Sequence, residues 1–431
     1  MRRPRLATTA MAVLVLLAAA AAAPAAAALP TVPSAEAALT GVRTVNAGDF
    51  HTCALLTSTE VRCWGANGYG QLGDGSLTGR VRPVAVSNAN GSARLTTVAQ
   101  ITSGGFHTCA RLTNGLAACW GRNNRGQLGD GTTTNRRRPI LVSNPAGTGW
   151  LTGVTDLSTG DQHTCARLQS GHVVCWGDNS SGQLGNATTT SSRRPVTTLL
   201  GTAALGGITQ VNAGALHTCA RSATGRAYCW GSNSSGQLGS GANDLDSDML
   251  WYDHHSAVSV HDGRDPLDIL HHVRAVSAGG THSCALTTDG KARCWGSNIS
   301  GELGDGLPLP VPPDDPPDNR PTSVAWPAGL TIGVAGVAAG GLHSCAITTV
   351  GVACWGSNWR GQLGNGATIT AHVPGTPMDL AGSDAFTQVT AGAAHTCATS
   401  AQGKVYCWGA NDRGQLGNGT TTDSLTPVAV G

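Results

Sequence analysis

Residues 47–73 read Ala47-Gly48-Asp49-Phe50-His51-Thr52-Cys53-Ala54, then a short polar link, then Cys63-Trp64-Gly65-Ala66-Asn67-Gly68-Tyr69-Gly70-Gln71-Leu72-Gly73. The same pair of motifs recurs six more times. Its cysteine pairs are Cys53 and Cys63, Cys109 and Cys119, Cys165 and Cys175, Cys219 and Cys229, Cys284 and Cys294, Cys345 and Cys354, and Cys397 and Cys407, which account for all 14 cysteines. A self-similar unit of about 50–65 residues is the signature of a repeat architecture. The repeats fall at about 42–91, 95–148, 151–203, 207–262, 271–328, 331–381 and 386–431 by the same periodicity.

Each unit reads as four short strands. In the first, Thr44–Ala47, His51–Leu56, Glu60–Trp64 and Val84–Val86 are β-rich runs separated by Gly-rich turns. Short strands at regular spacing point to propeller blades. The fold class is therefore all-β, a seven-bladed β-propeller of four-stranded antiparallel blades. Composition agrees, with 60 glycines and 12% charged residues. A net charge of +2 and the lack of a basic stripe exclude a nucleic-acid binder. Arg136-Arg137-Arg138 reads as the solvated edge of a strand.

The cysteine spacing supports the same hairpins. In the fifth unit, Thr288-Asp289-Gly290 forms a three-residue turn. Counting outward pairs Thr287 with Lys291, Leu286 with Ala292 and Cys284 with Cys294. Opposed residues of this kind lie about 4.5 Å apart at Cα, within disulfide reach. The sixth unit is one residue shorter and needs a two-residue turn at Thr349-Val350. Zinc held by His51, Cys53 and Cys63 is the rival reading. An export signal favours disulfides.

That signal lies at the amino terminus. Arg2, Arg3 and Arg5 precede the apolar run Met11–Ala23, followed by Pro24 and Ala25–Ala28. The order is that of a secretory signal peptide, residues 1–28, with a short linker at 29–41. The apolar run is shorter than the roughly 20 residues of a membrane helix. The expectation is a secreted, periplasmic or extracellular protein with no membrane span after processing, and a monomer.

Seven of the 11 tryptophans, Trp64 among them, fall one per unit and should fill the gaps between blades. Asn67 and its counterparts should bond nearby backbone, and Leu72 and its counterparts should tuck the loop under the blade. The seven motif histidines recur with the scaffold and read as buried structural residues. Glu302 replaces the motif glutamine in the fifth unit.

These residues carry a resemblance. Ala-Gly-x-x-His-[Thr/Ser]-Cys-Ala followed by Cys-Trp-Gly-x-Asn-x-x-Gly-Gln-Leu-Gly is similar to the regulator-of-chromosome-condensation propeller repeat, over about residues 42–431. That family includes a nuclear nucleotide-exchange factor for a small GTPase and a secreted bacterial β-lactamase inhibitor. Fold kinship does not transfer activity. The familiar repeat phase begins in mid-blade and makes both termini share one blade. Here the chain starts on an inner strand and ends on Pro427-Val428-Ala429-Val430, so the ring can close without interleaved strands.

Function should lie where the repeats differ. One variable set precedes the motif histidine and includes Phe50, Phe106 and Leu216. The other lies in the Asn-x-x-Gly loop and includes Tyr69, Arg125, Trp359, Arg360 and Arg413. Aromatic residues and arginine at loop tips are the types that dominate binding hot spots. Strand alternation puts both sets on one face, opposite the cysteine hairpins. The long segment Ser240–His272 holds His254, His255, His261, His271 and His272 amid aspartates. Asp244-x-Asp246-x-Asp248 resembles the start of a calcium loop, but Met249 replaces its glycine. A solvated loop is one reading of this segment; a zinc-like site is the other. Leu307–Pro327, with eight prolines, reads as an extended surface loop. The functional expectation is an exported binding module, not an enzyme, without cofactor, for a protein or surface-polymer partner, inhibitor-like binding included. The alternative is a metal-dependent enzyme using residues 240–272.

Overall fold

A computed structural model describes residues 38–241, 252–262, 269–307, 318–327, 332–379 and 384–431. The expected signal peptide and most of the linker lie outside these residues, as do Asp244, Asp246, Asp248, Met249 and much of the proline-rich segment. Seven antiparallel blade sheets follow one another along the chain, each built from consecutive strands, and a small two-stranded ribbon of Leu199–Leu200 and Ala203–Ala204 lies after the third. In the first blade these are β1 (Val42–Ala47), β2 (His51–Leu56), β3 (Val61–Gly65) and β4 (Arg80–Ala85). The outer strand starts earlier than the sequence suggests and includes Pro83. Proline is tolerated there because β4 is an edge strand and its pairing with β3 is irregular beside that residue. Blade six departs further: its fourth strand is reduced to the bridges Gly356–Ala371 and Val352–Met378. Pro374 and Pro377 remove two backbone donors from that short segment.

The hairpins match the expected register. Cys53 faces Cys63 and Leu286 faces Ala292, while Thr348 faces Gly351 across the two-residue turn. All seven cysteine pairs are disulfides, with Cα atoms 4.0–4.1 Å apart. The sulfurs are thus committed to one another, which removes the zinc reading of His51, Cys53 and Cys63.

The core is divided among seven apolar clusters, each straddling two neighbouring blades. Trp120 of blade two, for example, packs on Cys53, Leu55, Leu72 and Val86 of blade one. Its indole N–H donates to the Gln71 carbonyl at 2.9 Å. The Thr108 hydroxyl donates to that same carbonyl at 2.8 Å. A hydroxyl whose proton is spent in this way must accept from its other neighbour, so His51 Nε2–H donates to Thr108 Oγ1 at 2.8 Å. The pattern runs through His107–Thr164, His163–Thr218, His217–Ser283, His282–Ser344 and His343–Thr396, and closes at His395–Thr52. Among the described residues the ring closes with no exchanged strand. Gln415 of blade seven offers its carbonyl to Thr52 and Trp64, and Leu39 N–H bonds the Val430 carbonyl at 2.6 Å.

Burial holds the motif histidines neutral, their pKa pushed down from 6.5 to about 3 (His51, His107, His217, His343) or about 4 (His163, His282, His395).

Two outcomes follow. Mass spectrometry without reductant should find each cysteine linked to its hairpin partner, and Cys165→Ser with Cys175→Ser should lower stability by about 2–3 kcal/mol while circular dichroism stays unchanged. Because the histidines bind protons only in the unfolded chain, their contribution is complete above pH 6.5 and lost as pH falls toward 4. Each should cost about 1.4 kcal/mol per pH unit over that window. The denaturant midpoint should therefore drop steeply between pH 7 and pH 5; a flat profile would contradict the neutral ring.

Candidate functional site

Strands of six residues run about 20 Å, so successive loops alternate between the two ends of the ring. The β1–β2 link (Gly48–Phe50) and the β3–β4 loop (Ala66–Gly79) lie at one end, and the β2–β3 hairpin lies at the other. The β3–β4 loop is built by Asn67, as expected: Oδ1 accepts from Leu72 N–H at 3.0 Å and Nδ2 donates to the Thr78 carbonyl at 3.0 Å. Leu72 is buried beneath it. This scaffold holds the variable residues at fixed positions.

Phe50, Tyr69 and Phe106 come together. Phe50 and Phe106 stack at 5.2 Å, and Tyr69 meets the edge of Phe106 at 5.4 Å. The second contact joins the two variable sets directly. Sequence reasoning missed Arg122, whose guanidinium stands 5.2 Å over Tyr69 and 5.7 Å over Phe106. The other candidates spread along the same rim. Trp359 is 62% exposed and Leu216 37%. Arg360 stacks on Trp359 at 5.6 Å and bonds Asp423 of the next blade, Nη2 to Oδ1 at 2.9 Å. Arg125 faces Asp178 at 3.6 Å and Arg413 faces its neighbour Asp412 at 3.3 Å. Arg125 and Arg360 therefore also tie adjacent blades together.

A channel of about 200 Å³ opens at the centre of the ring. Its wall is a circle of glycines from Gly48 to Gly392, which a side chain would break: a Cβ on Gly48 would collide with the Gly104 carbonyl and lie 2.9 Å from the His51 ring. Two carboxylates enter this channel, Asp49 and Asp161, on either side of Gly105. Burial, then the charge of Asp161 and a hydrogen bond to it, hold the Asp49 carboxyl well above the ordinary range. Burial also raises Asp161. The signal for them was present: the residue after the motif glycine is Asp only in units one and three and is Gly or Ala elsewhere.

The histidine-rich segment does not form one cluster. His254–Ser259 is the outer strand of blade four, with His254 opposite Gly231 and Ser259 opposite Tyr228. That strand sets His254 and His255 at the end bearing the aromatic cluster, and His261, His271 and His272 beyond its other end. Among the described residues no group of three or more His, Cys, Asp or Glu is placed to hold a metal. The reading of 252–262 as loop is corrected to a strand, His254–Ser259, and the described residues give the metal-enzyme alternative no support.

Glu302 accepts from Ser300 N–H at 2.7 Å and from Ser297 Oγ at 3.2 Å. Burial raises its pKa from 4.5 to about 6. The penalty for ionising it is absent below pH 4.5 and complete above pH 6. In blade six the equivalent Gln362 donates to Ser357 Oγ at 3.3 Å, so glutamine fits this loop. Glu302→Gln should stabilise the protein by about 2 kcal/mol at pH 7.5 and leave it unchanged at pH 4, measured by chemical denaturation.

The RCC1-like domain model matches residues 145–431. Regulator of chromosome condensation (RCC1) repeat models match residues 60–111 and 114–167, and 42–71 and 98–127. The 60–111 unit runs from β3 of one blade through the second strand of the next, so the repeat phase is offset from the blades. The chain is 30% identical to the ultraviolet-B receptor UVR8 of Arabidopsis thaliana over 77% of its own length and 69% of that protein. It is 28% identical to the human E3 ubiquitin-protein ligase HERC2 over 88% of its length, but spans only 7% of that protein. Among solved structures, yeast RCC1 (Prp20) bound to Kap60 superposes with TM-score 0.69 at 21% identity, covering 86% of this chain and 83% of that one. Human WBSCR16 does so with TM-score 0.69 at 22% identity, covering 86% and 94%. With its blade architecture and its repeat motifs both matched, the chain belongs to the RCC1-repeat family.

Proposed function

We propose that this chain is an exported binding module that presents the aromatic-bearing end of its ring to a protein or surface polymer, in the manner of an inhibitor or adaptor. The observation that carries the reading is where the repeats break symmetry. Scaffold residues are shared by all blades, whereas Phe50, Tyr69, Phe106, Arg122 and Trp359 are blade-specific and gather at one end. Aromatic and arginine side chains on a rigid frame supply contact area at low entropic cost. The hairpin tips at the other end, Thr57-Ser58-Thr59 and Thr288-Asp289-Gly290, are small and polar. A protein-binding role accords with yeast RCC1, a family relative solved in complex with Kap60. The amino-terminal basic, apolar and small-residue order supports export.

The purified chain, immobilised and challenged with culture supernatant and cell-envelope extract, should retain a partner. Trp359→Ala and Tyr69→Ala should each weaken that capture by about 1–3 kcal/mol, and Asp289→Ala should leave it unchanged. The reverse pattern would move the site to the hairpin end. Amino-terminal sequencing of protein recovered from the medium should begin near residue 29; an uncleaved intracellular chain would refute export.

A further inference from the structure

The channel is not symmetric. Blades one to three give it Asp49, Ser103 and Asp161, where blades four to seven give only alanine and glycine. Ser103 is 6% exposed, lines the channel and leaves its Oγ without a hydrogen-bond partner. Its counterpart is alanine in five of the other blades, Ala47 among them. A buried hydroxyl without a partner costs free energy unless something satisfies it. The two carboxyls are likewise short of a counter-charge: among the described residues the groups acting on them are each other and burial, with no lysine or arginine. The cation of the aromatic cluster, Arg122, stands over the faces of Tyr69 and Phe106.

Phe50 follows Asp49 and Phe106 follows Gly105, so the stacked rings stand one residue along the chain from the acidic part of the channel lining, at the same end of the ring. An apolar ledge leading to paired carboxylates is complementary to a long basic side chain, whose methylene stem prefers an aromatic surface and whose head needs charge-assisted acceptors. At about 30 Å³ per water, the channel has room for such a head and a few waters. We infer that the channel mouth receives a lysine or arginine side chain of the partner, its stem across Phe50 and Phe106 and its cationic head between Asp49, Ser103 and Asp161. This rests on the binding-module reading and names the chemistry of its central contact.

Small probes test it without the partner. Titration calorimetry of the intact protein with n-butylammonium and n-propylguanidinium should show saturable binding of at least one, with 1-butanol as the uncharged control showing none. Asp49→Asn with Asp161→Asn should weaken that binding by about tenfold or more, the scale of a lost charge-assisted hydrogen bond. Asp49→Gly with Asp161→Ala, which installs the residues used by other blades, should do the same, so the test stands if one variant fails to fold. Ser103→Ala should weaken binding several-fold, and Asp289→Asn should not change it. Equal binding by wild type and both double variants, no cation binding by the wild type, or binding of calcium chloride in place of the organic cations would overturn the inference. Partner capture that survives the double variants while Trp359→Ala abolishes it would remove this contact and leave the wider reading standing. Capture untouched by Trp359→Ala and Tyr69→Ala, with cation binding intact, would do the opposite.

Discussion

One carbonyl oxygen per blade joins this ring together. The backbone oxygen of Gln71, and of its equivalents through Gln415, accepts both an indole N–H and a hydroxyl from the next blade. Those donors sit on neighbouring strands, so a single acceptor fixes the distance and the tilt between sheets. The Asn-x-x-Gly loop exists to deliver that oxygen, which explains why Asn67, Leu72 and the glycines around them recur together. The histidine completes the junction from the blade behind, and its tautomer follows from the geometry: Nε2 carries the proton because it must donate to a hydroxyl already committed to the carbonyl, while burial keeps the ring neutral.

Blade number and register were legible because each repeat carries its own complete instructions. Cysteine spacing gave the hairpin turn in the fifth unit and the shorter one in the sixth. Trp, Asn and Leu roles could be read from recurrence alone. Features that depend on the neighbouring blade were harder. Thr52 and its counterparts look like ordinary strand residues, and only the assembled ring shows that they bridge a histidine to a carbonyl. The outer strand was read too short because Arg-x-Pro suggests a turn, whereas an edge strand can hold a proline at a pairing irregularity.

The candidate site shows the same division. Phe50, Tyr69 and Phe106 were visible as departures from the repeat, but Arg122 follows a motif glycine and drew no notice until its guanidinium was found over two rings. Asp49 and Asp161 are 112 residues apart in numbering, in blades one and three, and become a pair only because the intervening blade places Gly105 between them. The histidine-rich segment went the other way. Its composition suggested a cluster, and a strand through its middle disperses it.

The disulfides have a consequence for how such a chain assembles. Every bridge joins residues nine or ten positions apart, and none crosses from blade to blade. The correct partner is therefore always the nearest cysteine in sequence, and short loops close at lower entropic cost than long ones. Each hairpin can oxidise as soon as its own residues are free, without waiting for the ring. The pairing problem that 14 cysteines would otherwise pose reduces to seven local ones. Only the last step, bringing the first blade against the seventh, asks for contact between the two ends of the chain, and by then every blade is already covalently closed.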